Sequence, residues 1–488
     1  MYRLAAVGLL LCPAVAQAHS FGRLYTLPVP LWMYAWGASA ALVISFLVVA
    51  WFATHDPQGS KQHQIDLGQT VWGRALLHKL TMNSLAGLSL AAFALCIATG
   101  LFGTRNAYLN FNMTFFWIVF LLGFTYFTAL FGGLYSVINP WLSLCRLFNR
   151  LPGVHFRGQY AYPKALGSWP ALLLYMLFIW VELFSGVGSY ALAWMLAGYA
   201  GFNLLGAWLF GRHAWFRHVE FFSLLFRLIS KMAPLQYIPA SDTKAQPQLV
   251  LRKPFVGLLD SKANSLSELV FVLFVLSSTA FDGLHQTKPW VDWYWQDIAT
   301  LLQPWTGSNI VHAYPLLNRL HAIYQSAALL LSPFLYLFAY LACLALMRKL
   351  VHCNISLYQL ALRFAYSLLP IALVYHITHY YTLVLTQGAM ILRLASDPFG
   401  FGWNLFGTAH MLPEPVIPNM DWVWHTQVWL ILVGHVVSVY LAHKEAIAIF
   451  PNRRDALVSQ LPMLVLMVGF TCFGLWILAQ PITSTIVQ

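Results

Sequence analysis

The feature that most limits this chain is a succession of apolar stretches, each about as long as a bilayer is thick, separated by short polar loops. Ten of them lie near residues 29–53, 84–103, 114–137, 169–185, 188–211, 266–285, 322–347, 364–392, 423–443 and 457–479. A helix needs about 20 apolar residues to cross the hydrocarbon layer. The sequence therefore predicts an all-α transmembrane helix bundle of about ten spans. Composition excludes soluble domains: only 9% of the 488 residues are charged and 60% are hydrophobic, against roughly 25% charged in soluble proteins. Six scattered cysteines without a CxxC pair exclude a disulfide framework.

In a soluble protein the net charge of +12 would suggest a nucleic-acid partner. Here the location of the charge decides its meaning. With the mature N-terminus outside, the loops after odd-numbered spans hold 20 Lys and Arg residues, from Lys61 to Arg454, besides Arg363 at the edge of the eighth span. The other loops hold five, Arg23, Arg105, Lys288, Arg319 and Arg393. This is the positive-inside pattern, so the expected partner is the lipid bilayer and nucleic acid is set aside.

Arg3, the apolar run Leu4 to Cys12, Pro13 and the small-residue site Ala16-Gln17-Ala18 read as a signal peptide over residues 1–18. Bulky Leu11 argues against a lipid anchor on Cys12. Residues 19–488 then form one integral membrane domain whose first residue, His19, lies outside the cytoplasm. Within the long inner loop 212–265, Arg217, Glu220, Arg227 and Lys231 recur at helical spacing over residues 216–232. That pattern predicts an amphipathic helix lying flat in the headgroup layer.

Phosphate-loop, GxSxG, HExxH and CxxCH motifs are all missing, which leaves histidine as the carrier of chemistry. The densest signal inside a span is Tyr375-His376-Ile377-Thr378-His379-Tyr380. Three residues apart, the two imidazoles share one helical face, as a helix offers two ligands to one ion. His376 stands about 20 Å along the axis from Arg363, in the outer part of the membrane, where ionisable groups are costly unless partnered. Asp282 and His285 end the sixth span at the same spacing, a carboxylate and imidazole suited to zinc or iron. Asp397 follows the eighth span at a Pro-Gly turn, and His425 and His435 belong to the ninth, about 15 Å apart along its axis. A mature N-terminal His19 offers its amine and ring to a metal such as copper. The candidate catalytic groups are thus His376, His379, Asp397 and His425. The candidate metal ligands are His376, His379, Asp282, His285, His425 and His19.

Several blocks resemble a family of polytopic bacterial membrane proteins identified as fenitrothion hydrolases, distinct from the soluble phosphotriesterases. They are Ala18-His19-Ser20-Phe21-Gly22 with Leu27-Pro28-Val29-Pro30-Leu31, the His376 and His379 region, Ser396-Asp397-Pro398-Phe399-Gly400 through Ala409, and Gly434-His435 with Ala442-His443. The resemblance spans most of the mature chain. It implies an organophosphate hydrolase in the bacterial inner membrane acting on small apolar phosphotriesters, and it supplies no catalytic residues. A zinc-like divalent ion would fit that chemistry by lowering the pKa of bound water to about 7. Two other classes stay open. A haem- or copper-binding electron-transfer protein would use His376 or His379 opposite His435. A transporter would use intramembrane His and Asp as proton or ion sites, although the ionisable residues crowd the outer half and leave no matching relay within.

Overall fold

Lipid offers no hydrogen bonds, so a crossing backbone must satisfy its own as helix. The computed structural model describes residues 30–52, 64–153, 155–239, 246–307, 309–411 and 419–480, and the expected signal peptide and His19 lie outside them. Among the described residues, nine helices are long and apolar enough to cross a membrane. They are α1 (Leu31–Phe52), α2 (Lys79–Phe102), α3 (Phe111–Phe131), α5 (Ser189–Phe210), α7 (Leu266–Leu284), α8 (Ile310–Leu350), α9 (Leu357–Ser396), α10 (Met420–Ile449) and α11 (Arg453–Ala479). Two shorter apolar helices join them, α4 (Trp169–Phe184), which corresponds to the fourth expected span, and α6 (Phe221–Ser230). The chain is an all-α polytopic bundle.

The bundle is organised around α7. Fifteen of its 19 residues are buried, which is the expected fate of a helix apolar on every face. Ser265 caps its start by accepting from the Glu268 N–H, the first half of a capping box. The Glu268 carboxylate turns back to accept from the Asn264 N–H at 3.0 Å. Around α7 pack α4, α8 and α9. Hydroxyls stitch the contacts: Ser332 on α8 donates to Ser277 at 2.8 Å, and Tyr366 on α9 donates to Glu268 at 2.8 Å.

Helix α9 is not regular. A 3-10 turn at Ala365–Leu368 precedes Pro370, whose ring and missing N–H interrupt the α ladder. A second 3-10 turn follows at Gly388–Met390. Glycines let its neighbours come close: a Cβ on Gly434 of α10 would stand 2.3 Å from Val374, and one on Gly474 of α11 would stand 1.9 Å from the Tyr375 hydroxyl. That hydroxyl donates to the Phe470 carbonyl on α11 at 2.5 Å.

The segment expected to lie flat behaves differently. It is two helices, Arg212–His218 and α6, broken at Val219 and Glu220. Seven of the ten α6 residues are buried, with Phe222 against Phe120 at 5.2 Å and Phe226 against Phe124 at 4.9 Å between ring centres. The aromatic faces of α3 supply the partner that an isolated amphipathic helix would seek in lipid. Glu220 makes the break affordable for the backbone by accepting from the Phe222 and Ser223 N–H groups, from Tyr199 at 2.8 Å and from Asn139 at 3.2 Å. Beyond α6, Leu235–Ile238 pairs antiparallel with Gln248–Leu251, which also pairs with Ile65–Asp66, in a three-stranded sheet. Strands of two to four residues are too short to read from periodicity alone.

Replacing Glu220 with Ala strands buried donors and is expected to cost about 3 kcal/mol or more. In detergent, thermal unfolding should show a large fall in Tm for Glu220→Ala and a smaller one for Glu220→Gln. Equal Tm values would mean that the carboxylate does not hold α6 in place.

Candidate functional site

Asp282 lies in the last turn of α7, with its side chain 3% exposed. A buried carboxylate at membrane depth is unfavourable by several kcal/mol unless donors surround it. Helix α9 supplies them. His379 Nε2 lies 2.8 Å from Asp282 Oδ2, and the Tyr380 hydroxyl donates to the same oxygen at 2.5 Å. An ionised carboxylate only accepts, so His379 Nε2 donates to Asp282. His285, one turn beyond Asp282, brings Nε2 to 3.6 Å from Oδ1. The four groups differ in access: His285 is nearly closed off at 8%, while the His379 ring keeps 21% of its surface open.

Aromatic rings wall this end of the bundle. Phe281 stacks on His285 at 5.5 Å, Phe184 meets it edge-on at 5.8 Å, and Trp290 packs on Phe281 at 5.8 Å. His376, one turn before His379, faces Tyr126 and Tyr380 at ring distances of 5.8 and 5.0 Å. Its Nδ1 is buried and has no hydrogen-bond partner among the described residues. His376, Asp282 and Tyr380 border a narrow cavity together with Glu182 of α4. It leaves about 30 Å³ for water centres, room for one or two waters.

The structure thus brings together Asp282, His285, His376 and His379 from the expected set. It does not bring His425 or Asp397. His425 lies on an exposed face of α10, where its ring meets Tyr34 at 6.2 Å. Asp397 accepts from the Phe401 and Gly402 N–H groups at 2.9 and 2.8 Å, closing a turn in which Gly400 and Gly402 have φ of 72° and 85°. Its role is to fold the chain back after α9. His435 Nδ1 donates to the Ile431 carbonyl at 2.8 Å, and the ring packs on Tyr375. Tyr375 and His376 are neighbours, about 100° apart around α9, so His435 and His376 do not face each other as axial ligands would.

Among the described residues, no group of three or more His, Cys, Asp or Glu side chains is placed to hold a metal ion. The reason is visible in the contacts. His379 and Asp282 are bonded to each other directly, whereas zinc would stand between them at about 2.0–2.2 Å from each.

Three participants escape a reading built on histidine. Tyr380 sits four residues after His376, hence on the same face. Glu182 and Glu268 are single acids in apolar segments, a signal in itself by the scarcity of acids in spans. Glu268 is 3% exposed and stands at the opposite end of α7 from Asp282. No family model, curated protein or solved structure matches this chain.

The pairing has a direct energetic test. In a double-mutant cycle on unfolding in detergent, Asp282→Asn and His379→Gln should couple by about 1 kcal/mol or more. Asp282→Asn and His425→Gln should add to within about 0.5 kcal/mol. Coupling in the second pair and none in the first would place the site elsewhere.

Proposed function

We propose that the protein is an integral membrane hydrolase of small apolar phosphotriesters, with Asp282 and His379 as the pair that activates water. The observation that carries this reading is a buried carboxylate bonded to an imidazole whose ring stays partly open. The resemblance of several sequence blocks to membrane-bound fenitrothion hydrolases supplies the substrate class. We place the chain in the bacterial inner membrane with the Asp282 end toward the periplasm, on the strength of the Lys and Arg asymmetry between loops.

In the proposed step, His379 Nδ1 takes a proton from water while the water oxygen forms a bond to phosphorus. The bond from phosphorus to the aryl oxygen breaks, and a nitrophenolate leaves with the electron pair. Asp282 holds His379 in the required tautomer and stabilises the imidazolium that forms, with Tyr380 sharing the carboxylate. Triesters of this kind partition into lipid, and the ring wall of Phe184, Phe281 and Trp290 offers an apolar approach. A zinc-like ion would have His379, Asp282 and His285 as its nearest donors. His379 and Asp282 are bonded directly to each other and His285 stands 3.6 Å from the other carboxylate oxygen, so the proton transfer is assigned to the chain's own groups.

General-base action contributes about 10²–10⁴ in rate. Purified protein should release nitrophenolate from a nitrophenyl phosphotriester, and His379→Ala and Asp282→Asn should each lower kcat by roughly 10²–10⁴. Tyr380→Phe should lower it about tenfold, the worth of one hydrogen bond to a charged group. His425→Ala should leave it within about twofold, as expected of a residue outside the machinery. Undiminished turnover in His379→Ala, or none in the wild type, would sink the proposal.

A further inference from the structure

We propose that the bundle also conducts protons along α7, between the Asp282 cluster and Glu268. The route shares the Asp282 cluster with the hydrolytic step and adds Glu268 and Glu182, which that step does not need. Helix α7 buries an acid at each end, Glu268 and Asp282, each 3% exposed. Fourteen residues separate them, about 21 Å along the axis, most of a hydrocarbon layer about 30 Å thick. Paired acids at such depths mark proton and ion routes more often than scaffolding.

The space between them is not solid. The cavity beside Asp282 is lined by hydroxyls from three helices, Thr125, Ser278 and Thr279 among them, and by a second carboxylate, Glu182. It runs along α9 from Tyr380 to Leu369, eleven residues or about 16 Å. Its floor is apolar, formed by Leu225, Ile229, Met232 and Leu369. One turn past Leu369 stands Tyr366, whose hydroxyl donates to Glu268 at 2.8 Å. In the proposed route these aliphatic side chains stand between the cavity and the Tyr366–Glu268 contact and act as a hydrophobic constriction that opens by wetting.

The same features select the ion. About 30 Å³ of water-centre space has no room for a hydrated sodium or potassium ion. A proton needs only hydroxyls, carboxyls and a water or two. The Glu268 end is also guarded by cations: Lys231 lies 5.1 Å over the Tyr366 ring, and Arg227 interacts with Glu268. At the other end His379, His285 and Tyr380 face Asp282. Fixed positive charge beside Glu268 repels a free metal cation, while a proton crosses bound to a neutral carboxyl.

The test is proton flux into proteoliposomes of the full-length protein, with a trapped pH dye and a potassium diffusion potential set by valinomycin. Wild-type vesicles should acidify at least tenfold faster than protein-free vesicles. Glu182→Gln and Glu268→Gln should return the rate to the protein-free level, and Leu369→Ser, which makes the floor polar, should raise it several-fold. Size-exclusion profiles matching the wild type show that the variants are folded. Hydrolysis separates the two proposals, because Glu268→Gln should stop proton flux and leave nitrophenolate release unchanged. Wild-type flux equal to that of protein-free vesicles overturns the inference, as does flux indifferent to both carboxylate variants or accompanied by sodium entry at the same rate.

Discussion

A carboxylate buried at membrane depth sets the terms for this structure. Asp282 is surrounded by lipid-facing helices and aromatic rings, so its charge is tolerable only if donors meet it from a neighbouring helix. His379 and Tyr380 are those donors, both on α9, which fixes the rotation of α9 against α7 about their axes. Tyr375, about 100° around the helix from His376, packs toward α10 and α11, and the glycines at 434 and 474 clear the space it occupies. The His376 face is left looking into the cavity shared with α4. One polar contact thus decides which face of α9 is site and which is scaffold.

The same rule repeats at lesser scale. Glu220 gathers donors from α5, from Asn139 and from the start of α6, and a helix with seven buried residues can sit within the bundle because that break is satisfied. Glu268 is paired to Tyr366 and Asn264. Buried acids in this protein are each held by side chains from another element, and α7 carries two of them. Its ends are therefore more strictly specified than its middle, where aliphatic packing would accept several rotations.

What was legible in the sequence follows from which quantities a linear pattern carries. Span length and apolarity need no knowledge of partners, so the bundle and nearly every span could be read directly. The three-residue spacing of His376 and His379 correctly implied one face, and Asp282 with His285 correctly implied a second. Which faces meet depends on interhelical rotation, a property of pairs of helices rather than of either one. His425 and Asp397 entered the candidate set because they lie at the same end of their spans as the site. The structure turns one outward and spends the other on a turn. Glu182 and Glu268 are isolated acids in apolar runs, a weaker linear signal than paired histidines at helical spacing. The α6 region departs from its pattern for a similar reason: the chain breaks at Val219 and Glu220, and aromatic rings of α3 cover the apolar face of α6.

The account stands on the hydrogen bond between Asp282 and His379. Nitrogen-15 NMR of histidine-labelled protein in lipid nanodiscs reports it without reference to any activity. A strongly downfield Nε2–H proton signal, assigned by its loss in His379→Gln and shifted upfield in Asp282→Asn, is the result expected. A His379 ring whose shifts match free imidazole, and which do not respond when Asp282 is changed, would show that the two helices meet in some other way.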